Sequence, residues 1–103
     1  MTTYEIPLTP ETQRFKISLD GVEYSLFVRW NHEAGAWVLD LSDTAGALIV
    51  GGVALTTGAD LLEQYRYLGF TGSLYVQTDY DKHVMPTAEN LGETSHLYFV
   101  VDQ

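Results

Sequence analysis

Three histidines are the residues of this chain best suited to acid–base or metal chemistry, and they are widely spaced. His32, His83 and His96 form no pair with a metal-ligand spacing such as His-x-His or HExxH. We expect one in a hairpin loop, one in a long loop and one at the start of the last strand. The favoured interpretation is three surface or boundary histidines. The alternative is a small hydrolase that uses His83 or His96 with an acidic partner.

The closely spaced carboxylates have simpler explanations than catalysis. Asp79 and Asp81 flank Tyr80 with the alternate spacing of a calcium loop, but the glycine and later glutamate of an EF-hand are missing. Asp60 and Glu63 stand on a predicted helix, where Asp60 favours the positive end of the helix dipole. We therefore predict no metal site, with a weak surface calcium site at the first pair as the alternative.

Nucleophile and cofactor motifs are missing as well. No serine stands in a GxSxG elbow. The absence of cysteine excludes a Cys nucleophile, a thiolate zinc site and an iron–sulfur cluster. Gly51-Gly52 has no following lysine and does not open a helix, as a phosphate loop would. The sequence predicts a protein that is not an enzyme and uses no cofactor.

Length and charge narrow the class of protein. The 103 residues, 46% hydrophobic and 18% charged, are typical of a single globular domain over residues 1–103. A net charge of -9 disfavours nucleic-acid recognition and anionic membranes. Neither a signal peptide nor an apolar stretch of membrane-spanning length is visible, so we expect no membrane insertion.

Alternation of apolar and polar residues with a period of two predicts strands along most of the chain. The alternating or apolar runs lie at residues 4–8, 15–19, 22–30, 37–41, 48–53, 74–76 and 97–101. Asp20-Gly21 is typical of a two-residue type I′ turn, which pairs Leu19 with Val22 and sets the register of the first hairpin.

A second hairpin follows, with a longer loop at residues 31–35. It brings Trp30 near Trp37 and places Arg29 diagonal to Asp40, within reach of an ion pair. Residues 43–46 predict a third turn, and Gly51-Gly52 predicts a bulge or a close backbone contact in the next strand.

One short α-helix is predicted over residues 59–68. Thr57 has the side chain of an N-cap, Asp60 follows three residues later, and Gly69 offers a C-terminal stop. The expected fold is mainly β, a small antiparallel barrel or sandwich with this one helix.

The second face of the strands is mixed, whereas a free meander normally shows a polar one. Aromatic residues are enriched at protein interfaces, so this face suggests contact with other subunits. The candidate interface residues are Phe27, Val38, Tyr75, Tyr80, Tyr98 and Val100. The alternative is that these residues pack beneath the helix or the long loop.

An ordered set of short motifs runs along the chain: Ile6-Pro7-Leu8, Leu39-Asp40-Leu41-Ser42-Asp43, Gly58-Ala59-Asp60-Leu61-Leu62, Gly72-Ser73-Leu74 and the segment from Leu91-Gly92 to Leu97-Tyr98. This set resembles the small baseplate plug proteins of contractile-tailed bacteriophages. The resemblance covers nearly the whole chain. The positions Gly58, Asp60, Gly69 and Gly72 match family motifs, where their roles are capping and tight backbone turns.

The resemblance implies a structural virion protein without catalytic residues. Such plugs sit in the tail baseplate and help close the central channel, after synthesis in the cytoplasm of the bacterial host. The implied partners are tail hub, tube or spike proteins and further copies of the chain. The alternative function is a small β-type carbohydrate-binding module, in which Trp30, Trp37 and Tyr80 stack on sugar rings.

Overall fold

Two antiparallel sheets face each other in the computed structural model, which describes residues 2–81 and 84–101. In these residues the strands are β1 (Thr2–Ile6), β2 (Gln13–Leu19), β3 (Val22–Asn31), β4 (Ala36–Ser42), β5 (Leu48–Ala54), β6 (Gly72–Thr78) and β7 (Ser95–Val101). The sheet orders are β1-β7-β6 and β2-β3-β4-β5. The mainly β prediction is confirmed as a sandwich, because the two sheets do not close into a barrel within the described residues.

The first hairpin has the predicted turn and register. Asp20 and Gly21 adopt φ values of 53° and 81°, as a type I′ turn requires. Leu19 pairs with Val22 and Phe15 pairs with Leu26. Since side chains alternate along a strand, this register turns Leu19 and Leu26 toward the other sheet.

The second hairpin is also confirmed. Trp30 lies opposite Trp37, and the two rings meet edge to face with centroids 5.4 Å apart. On the opposite side of the sheet, Nη1 of Arg29 donates to Oδ2 of Asp40 at 2.6 Å, the ion pair predicted from the register.

A bulge interrupts β5 where the two glycines were predicted to place one. Leu39 pairs with Val53 but Leu41 pairs with Val50, so Gly51 and Gly52 both lie opposite Asp40. The backbone N–H of Gly52 donates to Oδ1 of Asp40 at 2.8 Å. The carboxylate therefore stabilises the bulge with one oxygen and binds arginine with the other.

The prediction of an α-helix over residues 59–68 is wrong in type and length. The helical segment is a 3-10 helix at Glu63–Leu68, and its backbone is non-helical at Tyr65. Gly69 follows it with a positive φ of 90°, in agreement with the predicted stop. Within the described residues, no helix is long and apolar enough to cross a bilayer.

The reason for the short helix is that the residues before it are bound to β6. Oδ1 of Asp60 accepts the backbone N–H groups of Leu62 at 2.9 Å and of Leu74 at 3.1 Å. The N–H of Leu61 donates to the carbonyl of Leu74, and Thr57 forms a parallel bridge with Val76. Gly58, which has a φ of 93°, lies within this segment. Asp60 therefore joins two segments of the chain instead of opening an α-helix.

β7 is the central strand of the three-stranded sheet and pairs with both β1 and β6. The core between the sheets includes Ile6, Leu26, Val28, Leu39, Leu41, Leu74, Val76, Leu97 and Phe99. Gly72 lies so close to Phe99 that a Cβ added there would overlap its ring. Gly72 is thus required by packing, a stronger constraint than the tight turn expected for it.

The segment between β6 and β7 is anchored at both its ends and at its middle. The hydroxyls of Thr78 and Ser95 lie 2.7 Å apart and are buried, and the N–H of Asp79 donates to the carbonyl of Thr94 at 2.7 Å. Nε1 of Trp37 donates to the carbonyl of Thr87 at 2.8 Å. The bond at Thr87 therefore holds the described part of this connection to β4 of the four-stranded sheet.

Candidate docking surface

Three of the six candidate interface residues lie together on the outer face of the three-stranded sheet. The register places Tyr98 between Glu5 on β1 and Tyr75 on β6, with Val100 in the adjacent row. Their neighbours in sequence, such as Leu97 and Phe99, point into the core. The alternation of β7 therefore presents Tyr98 and Val100 outward on a strand that is paired on both sides.

We call Tyr75, Tyr98 and Val100 the aromatic face. Tyr75 is 36% exposed, and the other two side chains are half-buried. Burial raises the pKa of Tyr98, and the negative charges of Glu5 and Asp79 raise it further, so its phenol stays neutral in the physiological range. The aromatic face thus offers apolar ring surface together with neutral hydroxyls.

The other three candidates lie elsewhere. Phe27 is half-buried on the outer face of the four-stranded sheet, with the guanidinium carbons of Arg14 and Arg29 at 4.5 and 5.4 Å from its ring centroid. Val38, on the same face, is buried at 7% exposure. Tyr80 is 66% exposed in the connection after β6.

His96 lies at the start of the last strand, as predicted, but it makes contacts that the sequence did not reveal. Its Nδ1 lies 2.8 Å from Oε2 of Glu5, and its Nε2 lies 3.1 Å from Oδ2 of Asp79. Burial alone would lower the pKa of His96, but the hydrogen bonds and charges of Asp79 and Glu5 outweigh it, so the pKa is raised. We call these three residues the carboxylate–histidine clasp.

The clasp borders the aromatic face, since the rings of His96 and Tyr98 are 6.0 Å apart. It ties β1 and the connection after β6 to the central strand β7. Glu5 and His96 are 91 residues apart, so no local spacing could have indicated their contact. Within the clasp both ring nitrogens of the histidine face carboxylates, an arrangement that fixes the side chain in place.

The other residues that the sequence suggested for catalysis, metal binding or sugar stacking do not lie together in the part of the chain that the structure describes. His83 lies outside the described residues, and His32 is exposed in the loop between β3 and β4. In residues 2–81 and 84–101, no group of three or more His, Asp or Glu side chains is arranged to hold a metal ion. Trp37 is only 2% exposed and donates to Thr87, so it offers no surface for stacking on a sugar.

Comparison with known proteins gives one family. A family model described as "Cyanophage baseplate Pam3 plug gp18" matches residues 3–102. No curated protein is similar enough to the chain to count as a match. Apart from Thr2, the first residue of β1, the family match covers all seven strands, the aromatic face and the clasp. The chain therefore belongs to the phage baseplate plug family, whose members are structural parts of the tail baseplate of the virion and contact other baseplate proteins.

Proposed function

We propose that this chain seals the central hub or tube region of a contractile phage tail, through protein–protein contacts made by the aromatic face. It is made in the host cytoplasm and incorporated during baseplate assembly. The observation that carries the proposal is the pairing of Tyr98 with Tyr75 on an outward sheet surface, in a chain of the baseplate plug family.

The physical properties of the aromatic face suit a permanent contact. Tyrosine covers much apolar area with only two rotatable bonds, so it loses little conformational entropy when a partner covers it. Tyr98 lies on the central strand of its sheet, and the clasp holds the neighbouring His96. The surface is therefore preorganised, which reduces the ordering cost of association.

Charge favours a basic partner surface over an acidic one. The chain carries a net charge of -9, and Glu5 and Asp79 border the aromatic face with 46% and 60% exposed side chains. Opposite charge on a hub or tube protein would accelerate encounter and orient it. The same charge disfavours close packing of two copies through this face.

The test is binding of the purified chain to purified hub and tube proteins of a contractile tail. Tyr75→Asp places a charge in the aromatic face, and we expect it to weaken binding about tenfold or more, as for a central interface residue. Tyr67→Asp is the matched control, because Tyr67 is 81% exposed and lies in the 3-10 helix.

If both variants weakened binding equally, the loss of binding would come from the added negative charge regardless of its position. That result would contradict the proposal that the aromatic face makes the contact. If the unaltered chain bound none of the hub and tube proteins, that result would contradict the proposed function itself. Circular dichroism melts of both variants show whether the folded state is retained.

A further inference from the structure

The edge strands of the two sheets are not protected alike. The outer edge of β6 is occupied by the preceding segment, through the bonds from Leu61 to Leu74 and from Leu74 to Asp60 and the bridge from Thr57 to Val76. The outer edge of β5 is interrupted by the bulge at Gly51-Gly52. Covered and bulged edges resist the addition of another strand.

β1 and β2 have no such protection within residues 2–81 and 84–101. β1 pairs only with β7 and β2 pairs only with β3, each in unbroken register. No further backbone hydrogen bond reaches either strand in this part of the chain. Each strand thus leaves the amides and carbonyls of one side open to a new partner.

A groove of about 480 Å³ lies between these two open edges. Ile6, Leu19 and Phe99 contribute buried apolar side chains to its lining, and Tyr4 and Ile17 contribute partly exposed ones. The charged residues that line it, Glu5 and Asp20, are both acidic.

The apolar side chains around this groove are left partly uncovered. Tyr4 stands in the inward row with Phe99 and Leu74, yet Tyr4 is 52% exposed while its row neighbours are 3% and 0% exposed. Val22, which pairs with the buried Leu19, is 48% exposed. The sandwich therefore covers its inner surface at β6, at β7 and at Ile6 of β1, but it leaves Tyr4 of β1 and Val22 of β3 partly uncovered.

We propose that an extended, basic segment of a neighbouring baseplate protein adds as a strand to the open edge of β1 and fills this groove. Its backbone bonds to the free side of β1, and its alternate side chains enter the groove against Ile17 and Leu19. The inference rests on the proposed function, since the segment belongs to the protein that the chain contacts in the baseplate.

Charge selects a basic segment over a second copy of the chain. The groove's charged residues are acidic, and two copies would bring together two proteins of net charge -9. Lysine or arginine in the added segment would instead be attracted to Glu5 and Asp20. Binding should therefore weaken as the salt concentration rises.

The experiment combines binding and hydrogen exchange in the complex of the full chain with the hub or tube protein that it binds. We expect Tyr4→Asp to weaken binding about tenfold or more. The matched control Tyr67→Asp, which also replaces an exposed tyrosine with aspartate, should leave binding unchanged. In the complex we also expect slower hydrogen exchange at every second amide of β1, those that point away from β7 and would bond to the added strand. The remaining amides of β1 already bond to β7 in the isolated chain.

The outcomes are separable. If the chain binds a baseplate protein but Tyr4→Asp binds equally well and β1 amides exchange as before, the strand-addition proposal is overturned and the proposed function stands. If the unaltered chain binds none of these proteins, both are overturned. If β1 is protected in the isolated chain and sedimentation shows a dimer, the groove takes a second copy, and the basic partner is overturned.

Discussion

Nδ1 of His96 lies 2.8 Å from Oε2 of Glu5, so one side-chain contact joins β1 to β7 across 91 residues of sequence. The same imidazole faces Asp79 at 3.1 Å with its other nitrogen. This contact makes the stability of the three-stranded sheet dependent on the protonation of one histidine.

We expect the free energy of unfolding to fall as pH rises through the folded-state pKa of His96. That pKa is raised above the ordinary value of 6.5, so the folded state binds the proton more tightly than the unfolded state does. The stabilisation of the folded state by protonated His96 is fully present below the unfolded-state pKa. It is lost above the raised folded-state pKa. Its size is about 1 kcal/mol, because both carboxylates are substantially exposed.

Urea unfolding of the chain and of His96→Gln between about pH 5.5 and 8.5 isolates this effect, since the other titrating groups are shared. The difference in stability between the two proteins should shrink with rising pH. A difference that stayed constant or grew would show that the clasp does not favour the charged imidazole.

Asp40 should contribute more to stability through Gly52 than through Arg29. Asp40→Ala removes the acceptor of the Gly52 N–H in the bulge, and we expect a loss of about 1–2 kcal/mol. Asp40→Asn keeps an acceptor oxygen and loses only the charge, so it should cost less. The Arg29–Asp40 coupling should be below about 1 kcal/mol because Arg29 is 38% exposed.

A double-mutant cycle with Arg29→Ala and Asp40→Ala, measured by denaturant unfolding, separates the contribution of the ion pair from that of the bond to Gly52. A coupling energy as large as the whole effect of Asp40→Ala would mean that the ion pair, and not the bulge, dominates.

Gly72→Ala should destabilise the chain strongly, by about 2–4 kcal/mol as for severe overpacking or backbone shifts. The added Cβ would overlap the ring of Phe99, and the backbone carbonyl of Val100 lies only 2.8 Å away from it. Gly51→Ala is the matched control, because the atoms nearest its Cβ would be side-chain atoms, of the exposed Leu48 at 3.1 Å and Oδ1 of Asp40 at 3.3 Å. Thermal melts of the two variants with similar midpoints would contradict this distinction.

Trp37→Phe should loosen the connection between β6 and β7. The change removes the N–H that donates to the carbonyl of Thr87 while keeping a buried aromatic ring. We expect faster hydrogen exchange and faster proteolysis near residues 84–90, with a loss of about 1–2 kcal/mol in global stability. Trp30→Phe, in the same aromatic pair but without that bond, should leave the connection protected.

The two hairpins could be predicted because short turns fix their registers from local residues. Asp20-Gly21 determines the pairing of Leu19 with Val22, and the contact of Arg29 with Asp40 follows from the next hairpin. The bulge at Gly51-Gly52 was also readable from the sequence, because glycine within a strand is itself a signal.

The features that could not be predicted depend on residues far apart in the chain. Asp60 has the spacing of a helix start, yet its carboxylate accepts from Leu74, fourteen residues later, and the expected helix is lost. The carboxylate–histidine clasp and the groove beside β1 arise only when β7 pairs with β1. No local pattern specifies that pairing. The six candidate interface residues stay a prediction, and the sequence could not show that they lie on three separate surfaces.

The pairing of β1 with β7 also sets an order on synthesis at the ribosome. The strands of the four-stranded sheet are consecutive and span Gln13–Leu19 to Leu48–Ala54, so they can pair as soon as that part of the chain has emerged. Thr2 is made before these four strands, but its partner Val101 is made after all of them. The nascent chain must therefore hold β1 unpaired until translation of β7 is complete.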